Sequence, residues 1–453
     1  MLAESNFRSK FKSKFTSRFD RGLLMAGTVM ASRKRVPHWV TLGASADLDF
    51  IGERYSVEGL TPAFTDIPGV SVSRASTGTA IVDGILTEFG DDTPRIGDDG
   101  LLVENAATNK AYAGSVEPSQ LLTPTSQTAF ETAFPDLDAF DAGAGALFGV
   151  VDRSADIAGT EIAGLLPNGR VYVIDNTEGS GNSLINFAGL TGNTNQHTSS
   201  AWIWSDTATG INEIGLGLNP SSAKNLTSNV TASPQRFSFT ETPADANRKL
   251  QVSVSPGHRV YFVLPQLEES STATSYIPTE GSAVTRAADS VSLTDLDALG
   301  LTSAVLSGGY TVVLDLQDWA WGGGAEHIFG IGTTVDNRFI IFRRSSDGAL
   351  VVRVDDGSTI SSATYGTGTA PTSGRLKLAV AFDPVTGLRT SLNGASATSD
   401  DPFDGEAALG GSTALHWASH SGSAFVQSVK ERRRIIIPRA VSDAELQQLS
   451  DPS

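Results

Sequence analysis

The side chains able to do chemistry in this 453-residue chain are 50 carboxylates, six histidines and six tryptophans; there is no cysteine. That removes a thiolate nucleophile, a thiolate zinc site and a disulfide framework together. Glycoside hydrolysis needs two carboxylates about 5 to 10 Å apart across a cleft, and a strand-borne Glu-x-Asp-x-x-Glu would supply them, but that pattern is absent. The nearest local pair, Asp315 and Asp318 in LDLQDW, is three residues apart, which on a strand points the side chains to opposite faces. They read as ordinary strand-end acids. His38, His197, His258, His327, His416 and His420 form no His-Glu-x-x-His signature. His416 and His420 are four apart, yet Trp417, Ser419, Ser421 and Gly422 around them suggest strand and loop, not a ligand-bearing helix. No Gly-x-Ser-x-Gly elbow and no phosphate-cradling Gly-x4-Gly-Lys-Ser/Thr occurs. Catalysis, metal and cofactor are therefore not expected, although a carboxylate pair assembled from distant strands would leave no local signal.

Binding a sugar asks for less: an aromatic plane under the CH face of the ring and a few polar groups that fix its orientation. Trp319 and Trp321 sit at i and i+2 before Gly322-Gly323-Gly324. They fit core or inter-subunit packing as well as stacking on a ligand. Trp417 with His416 and His420 is a weaker, third candidate. Trp202 and Trp204 repeat the i, i+2 spacing inside an apolar run and read as core packing.

The elements that must position these residues are strands. Hydrophobic residues make up 40% and charged ones 18%, with 46 Gly and 19 Pro, a composition that excludes a coiled-coil rod or helical bundle. No stretch approaches 18 consecutive apolar residues, so no membrane-spanning helix is expected. After His38, period-two alternation dominates in short runs such as 171–174, 201–204, 250–254, 259–264, 310–316, 338–342, 349–354 and 376–382, as antiparallel sheets with one wet face require. Asp-Gly at 83–84, 99–100, 347–348 and 356–357 and Asn393-Gly394 are hairpin signals, because both residues tolerate positive φ. One helix is expected at the C-terminus, where Ser442 and Glu445 form a capping-box pattern and Leu446 and Leu449 would pin it to the body.

Formal net charge is −17, and it is uneven: residues 1–37 carry nine Lys/Arg against Glu4 and Asp20, a balance of +7 that leaves −24 on the rest. Such asymmetry marks an interaction tail. Within it Phe7, Phe11, Phe15 and Phe19 recur every four residues. A helix would spread them over about 120° and place Lys10, Lys14 and Arg18 on or beside their stripe. An extended strand instead puts Phe7, Phe11, Phe15 and Phe19 on one face and Arg8, Lys10, Lys12, Lys14 and Arg18 on the other. The complete separation favours an extended anchoring peptide over a solvated leader or a membrane-surface helix. GLLMAGTVMA at 22–31 is a poor secretory core, because Gly and Thr interrupt it. A body at −24 would repel phosphate, so nucleic acid is not an expected partner.

Three segments resemble a known family. RASTGTAIVD at 74–83, Thr93-Pro94-Arg95, Gly100-Leu101-Leu102-Val103-Glu104 and Thr108-Asn109 resemble a region of tailed-bacteriophage tail-fibre and other virion proteins; Ile81 and Ala107 stand where that region usually has an aromatic residue and an Arg. PQLEESSTATSYIPTEGSAVTRAADSVSL at 265–293 resembles the closing strand and exit of the jelly-roll module in such proteins, a module similar to carbohydrate-binding sandwiches. Residues 308–450, ending in PRAVSDAEL, look like a concanavalin A-like (laminin G-like) sandwich. The resemblance implies an all-β protein of tandem antiparallel β-sandwiches. Its parts would be a basic virion-anchoring arm (1–37), a β-rich connector (38–117), a jelly roll (118–282), a linker (283–305) and a concanavalin A-like domain (306–453). It further implies a non-enzymatic tail fibre, spike or head fibre at the virion surface. The arm would mount it on tail, portal or capsid proteins, the body would meet host surface polysaccharide, and the chain would assemble as a homo-oligomer, with a trimer favoured. A purely structural decoration protein and a glycan depolymerase are the alternatives.

Overall fold

The computed structural model describes residues 42–112, 117–207, 214–219, 224–226, 229–320, 326–332, 338–355, 360–366, 374–396, 398–399, 414–420, 423–424 and 428–453. They form an all-β protein whose paired strands all run antiparallel within their sheets. The arm, with Phe7, Phe11, Phe15, Phe19, Arg8, Lys10, Lys12, Lys14 and Arg18, lies outside the described residues, as does the Asp356-Gly357 turn.

Two sandwiches are present. In the first, a five-stranded sheet runs Leu137–Asp141, Ser183–Phe187, Lys249–Val254, Ile214–Asn219, Lys224–Asn225. Facing it, a six-stranded sheet runs Gln235–Glu241, His197–Trp204, His258–Glu268, Arg170–Asn176, Leu147–Asp152, Leu122–Thr125. Phe148, Ile174, Ile185, Phe187, Val252 and Phe262 fill the space between them.

The second sandwich is assembled from two distant parts of the chain. The ten residues of Ser428–Ile437 pair with Tyr310–Ala320 along one edge. Along the other edge they pair first with Gly100–Glu104 and then with Ala46–Asp49. The facing sheet ends in Ser290–Leu293 and Val70–Ser73. Strands from residues 46–73 and 100–104 and from 290–437 therefore share one core, in which Leu48, Phe50, Phe64 and Leu101 pack with Leu314, Phe329, Val352 and Leu378. This differs from the expected connector and linker. Strands of 38–117 and 283–305 are integral to the C-terminal sandwich, and the first sandwich is inserted between them. The physical reason is backbone satisfaction: the free edge of a long central strand offers unpaired N–H and C=O groups, and two strands from the start of the described chain, Ala46–Asp49 and Gly100–Glu104, close it. Local alternation carries no information about which partner does so.

Turn chemistry is partly as expected. Asp83-Gly84 and Asn393-Gly394 have both residues at positive φ, but at 99–100 and 347–348 only the glycine does. The Asp98 carboxylate fixes the first of these turns by accepting from the backbone N–H groups of Asp83 at 2.8 Å and Gly84 at 2.7 Å. The hairpin it closes, Gly78–Val82 with Ile85–Phe89, stands apart from both sandwiches' sheets. The C-terminal helix, Asp443–Leu449, carries the expected capping box of Ser442 and Glu445. Leu446 and Leu449 bury against Val313, Ala379 and Ile435.

Candidate functional site

The residues that carry the family resemblance converge on one place, the junction between the two sandwiches. Gly100–Glu104 delivers Glu104, the short strand Arg95–Gly97 delivers Arg95, and the segment leading into Ser290–Leu293 delivers Arg286 and Asp289. Arg74 follows Val70–Ser73. All five are buried, none more than 3% exposed. Arg74 donates to Asp289 at 3.0 Å, Arg95 donates to Glu104 at 2.7 Å and to Asp289, and Arg286 lies 3.5 Å from Glu104. Each carboxylate is also held by neutral donors. Glu104 accepts from the Ser275 backbone at 2.9 Å and its hydroxyl at 2.6 Å, and Asp289 accepts from the Glu104 backbone at 2.8 Å. Burial works against the charge of Glu104, but Arg286, Arg95 and Ser275 outweigh it and hold the carboxyl well below the usual range.

The same knot reaches into the first sandwich. Asn109 uses its whole side chain: Nδ2 donates to the carbonyls of Pro265 at 3.1 Å and Ile277 at 3.0 Å, and Oδ1 accepts from Ala111 and Leu267, both at 3.0 Å. Gln266 accepts from Ile277 N at 2.7 Å and donates to Glu268 at 2.6 Å. Side chains bonded in the manner of Asn109 and Gln266 fix the geometry of the segments they join.

Beside the knot lies a cavity of about 310 Å³ with walls from three parts of the chain. The 80–104 region contributes Ile81, Leu86, Asp99, Leu102 and Glu104; the inserted sandwich contributes Glu161, Trp202, Arg236 and the 272–276 loop; and the long central strand contributes Ser428 and Lys430. Trp202 Nε1 donates to Glu161. Arg236 lies 4.9 Å from the Trp202 ring centroid and donates to Thr274 O at 2.8 Å and Ser200 Oγ at 3.0 Å. Arg236 lines the cavity, and burial pulls its guanidinium below its usual value against Glu268, Glu104 and Glu161. Lys430 donates to Asp99 at 2.6 Å. Arg236 Nε and Thr272 Oγ1 have no hydrogen-bond partner.

Two carboxylates, Glu104 and Glu161, thus meet in one cavity from positions that share no local pattern. Their environments do not make an acid–base pair. A glycosidase acid needs a raised pKa, and Glu104 is held ionised and immobile by two guanidiniums and Ser275. Burial does raise Glu268, but it is occupied with Thr274 and Gln266 and is not part of the cavity wall. Among the described residues, no group of three or more His, Asp or Glu comes together as a metal site. Asp315 is engaged by Arg375 at 3.0 and 2.9 Å.

The tryptophans sort by strand alternation. Trp202 and Trp204 are buried, but not between the sheets: Ala201 and Ile203 fill that space, while the two tryptophans face the opposite side of His197–Trp204. There Ile157, Ile162, Leu166 and hairpin residue Leu86 cover them. Trp417, expected as a glycan-stacking residue, is instead core, at 1% exposure. It lies in Leu415–Trp417, between Ser290–Leu293 and Glu326–Ile331, and alternation turns Leu415 and Trp417 into the sandwich together. The Phe64 ring stands nearly perpendicular to it with centroids 5.8 Å apart and the Arg434 guanidinium lies 4.2 Å from its centroid, so the buried ring leaves no plane for a sugar. Arg434 is itself paired to Glu431 at 2.7 and 2.6 Å in the interior. The Leu-His-Trp alternation was the available signal for Trp417. No local pattern marks Glu161, Arg236 or Thr272. Trp321 and the side chain of Trp319 lie outside the described residues.

His416 faces the other side of that sheet, only 8% exposed and with both ring nitrogens unpartnered. Burial holds its pKa below the usual value, and burial with Lys110 nearby does the same for His197. Below about pH 6.5 the unfolded imidazoles take up protons that the folded ones refuse, so stability falls as pH drops from there. Urea unfolding of the protein and of His416→Gln at pH 7.5, 6.5 and 5.5 should show a shallower acid loss in the variant. Parallel curves would mean that His416 does not contribute.

No family model matches the chain, and no curated protein does. Among solved structures it is similar to the CBM40 module of a Ruminococcus gnavus IT-sialidase bound to α2,3-sialyllactose, at 12% identity over 36% of this chain and 91% of that one, with a TM-score of 0.29. A leech intramolecular trans-sialidase matches at 16% identity over 36% of this chain and 26% of its own, with a TM-score of 0.30. The receptor-binding domain of botulinum neurotoxin mosaic serotype C/D matches at 10% identity over 36% and 39%, with a TM-score of 0.29. At these identities and scores the likenesses carry no functional weight.

Proposed function

We propose that this protein is a non-enzymatic appendage of a tailed-phage-like particle, a fibre or spike mounted by its basic arm and contacting host surface glycan with its β-sandwich body. The observation that carries the reading is the convergence at the junction. Arg74, Arg95, Glu104, Arg286 and Asp289, drawn from two of the segments that resemble virion proteins, tie the two distant parts of the second sandwich together, and Glu104 and Asn109 reach Ser275, Pro265 and Ile277 at the exit of the first. A body fixed in this way suits a part that projects and bears load. The charge contrast between arm and body supports mounting on an acidic surface, because Lys and Arg opposite carboxylates steer and hold such contacts.

The test has two arms. Deleting residues 1–21 should leave a folded body that is absent from purified particles, whereas full occupancy would end the anchoring role. The whole chain applied to an array of bacterial surface polysaccharides should bind without releasing reducing ends. Release of reducing ends would favour a depolymerase, and silence on the array a purely structural decoration role.

A further inference from the structure

We propose that the cavity between the two sandwiches is a binding site for one uncharged pyranose unit; this deepens the glycan-contacting reading above and rests on it. At about 310 Å³ the cavity falls at the small end of the range for small-molecule sites, roughly 300–1,000 Å³. It also lies between two packed units, where such sites concentrate. A pyranose presents apolar CH faces and hydroxyls that both donate and accept. The wall offers the matching set: Ile81, Leu86 and Leu102 on the apolar side, with Glu161 as acceptor, Arg236 as donor and Thr272 as both. Thr272 Oγ1 and Arg236 Nε are buried without a hydrogen-bond partner, as are Arg95 Nε and Arg286 Nε in the adjacent knot.

Charge decides the class of sugar. Lys430 is matched by Asp99. The four guanidiniums of Arg74, Arg95, Arg236 and Arg286 formally balance the four carboxylates of Glu104, Glu161, Glu268 and Asp289. A uronic acid or an amino sugar would bring an ion into a site with no spare counter-charge and lose its hydration without compensation. A neutral sugar avoids that cost.

Saturation-transfer NMR on the full chain would use methyl glucoside, methyl galactoside, methyl mannoside and N-acetylglucosamine as neutral probes, with glucuronate, galacturonate and glucosamine as charged ones. At least one neutral probe should give a saturable signal that Ser428→Phe, which fills the cavity, abolishes. Thr272→Val should weaken it about tenfold. The thermal midpoint of each variant reports its folding, and if Ser428→Phe does not fold, Thr272→Val alone decides. Preference for a charged probe, or neutral binding untouched by the folded variants, would overturn the proposal. So would the absence of any monosaccharide signal. In that last case, retained array binding leaves the broader glycan reading standing with its site elsewhere, and loss of both removes the two together.

Discussion

Asp289→Ala should lower the free energy of unfolding by about 5 kcal/mol, the upper end of what breaking a buried ion pair costs. Asp289 is placed at that end because three donors converge on its carboxylate: Arg74, Arg95 and the Glu104 backbone N–H. Removing it leaves two buried guanidiniums short of a counter-charge at once. Arg74 keeps carbonyl partners at Ser76, Thr93 and Gly90, and Arg95 keeps Glu104, so the loss is large without being unlimited. Against a typical total of about 5–15 kcal/mol, it is a large share of the stability. Urea unfolding gives the magnitude, and amide exchange gives the place: protection should fall first in Val70–Ser73 and Ser290–Leu293, which pair with each other beside the knot. A change below about 1 kcal/mol would mean that the knot is not what holds the two distant parts of the second sandwich together.

Glu431→Gln should cost about 3–5 kcal/mol, for a related reason in a different place. Arg434 is fully buried between Trp417 and Phe329, 4.2 and 4.7 Å from their ring centroids. Burial pushes the Glu431 carboxyl up and the Arg434 guanidinium down, and each is the other's main compensation. Replacing one partner leaves the other charged in an apolar interior. Replacing both, as in Glu431→Met with Arg434→Met, removes the desolvation cost with the charges and should recover most of the stability. Chemical denaturation of the two single variants and the double variant checks this, and a double variant worse than Glu431→Gln would contradict it.

The contrast between Trp417 and Arg236 shows where sequence reading stops. Leu415-His416-Trp417 carries the period-two signal that places Trp417 on the side of Leu415, but whether that side faces core or solvent depends on Ser290–Leu293 and Glu326–Ile331 flanking the strand. Arg236 and Thr272 carry no signal, because what makes them notable is the wall opposite, built from residues well over a hundred positions away. The motif residues Arg74, Arg95, Glu104 and Asp289 were visible as a resemblance, but their role as a single ion network was not.

By itself, then, the sequence determined the kind of structure: strands from period-two alternation, tight turns at Asp83-Gly84 and Asn393-Gly394, and a C-terminal helix from Ser442 and Glu445. It also determined the charge contrast between arm and body. These depend on residues within a few positions of one another, or on composition. Only the tertiary structure decided that residues 46–104 close the edge of Ser428–Ile437, that one sandwich is inserted into the other, and that a paired-charge knot and a cavity lie between them. Strand pairing is made by backbone groups common to every residue, so the choice of partner is written in the packing of the whole chain and not in any local run.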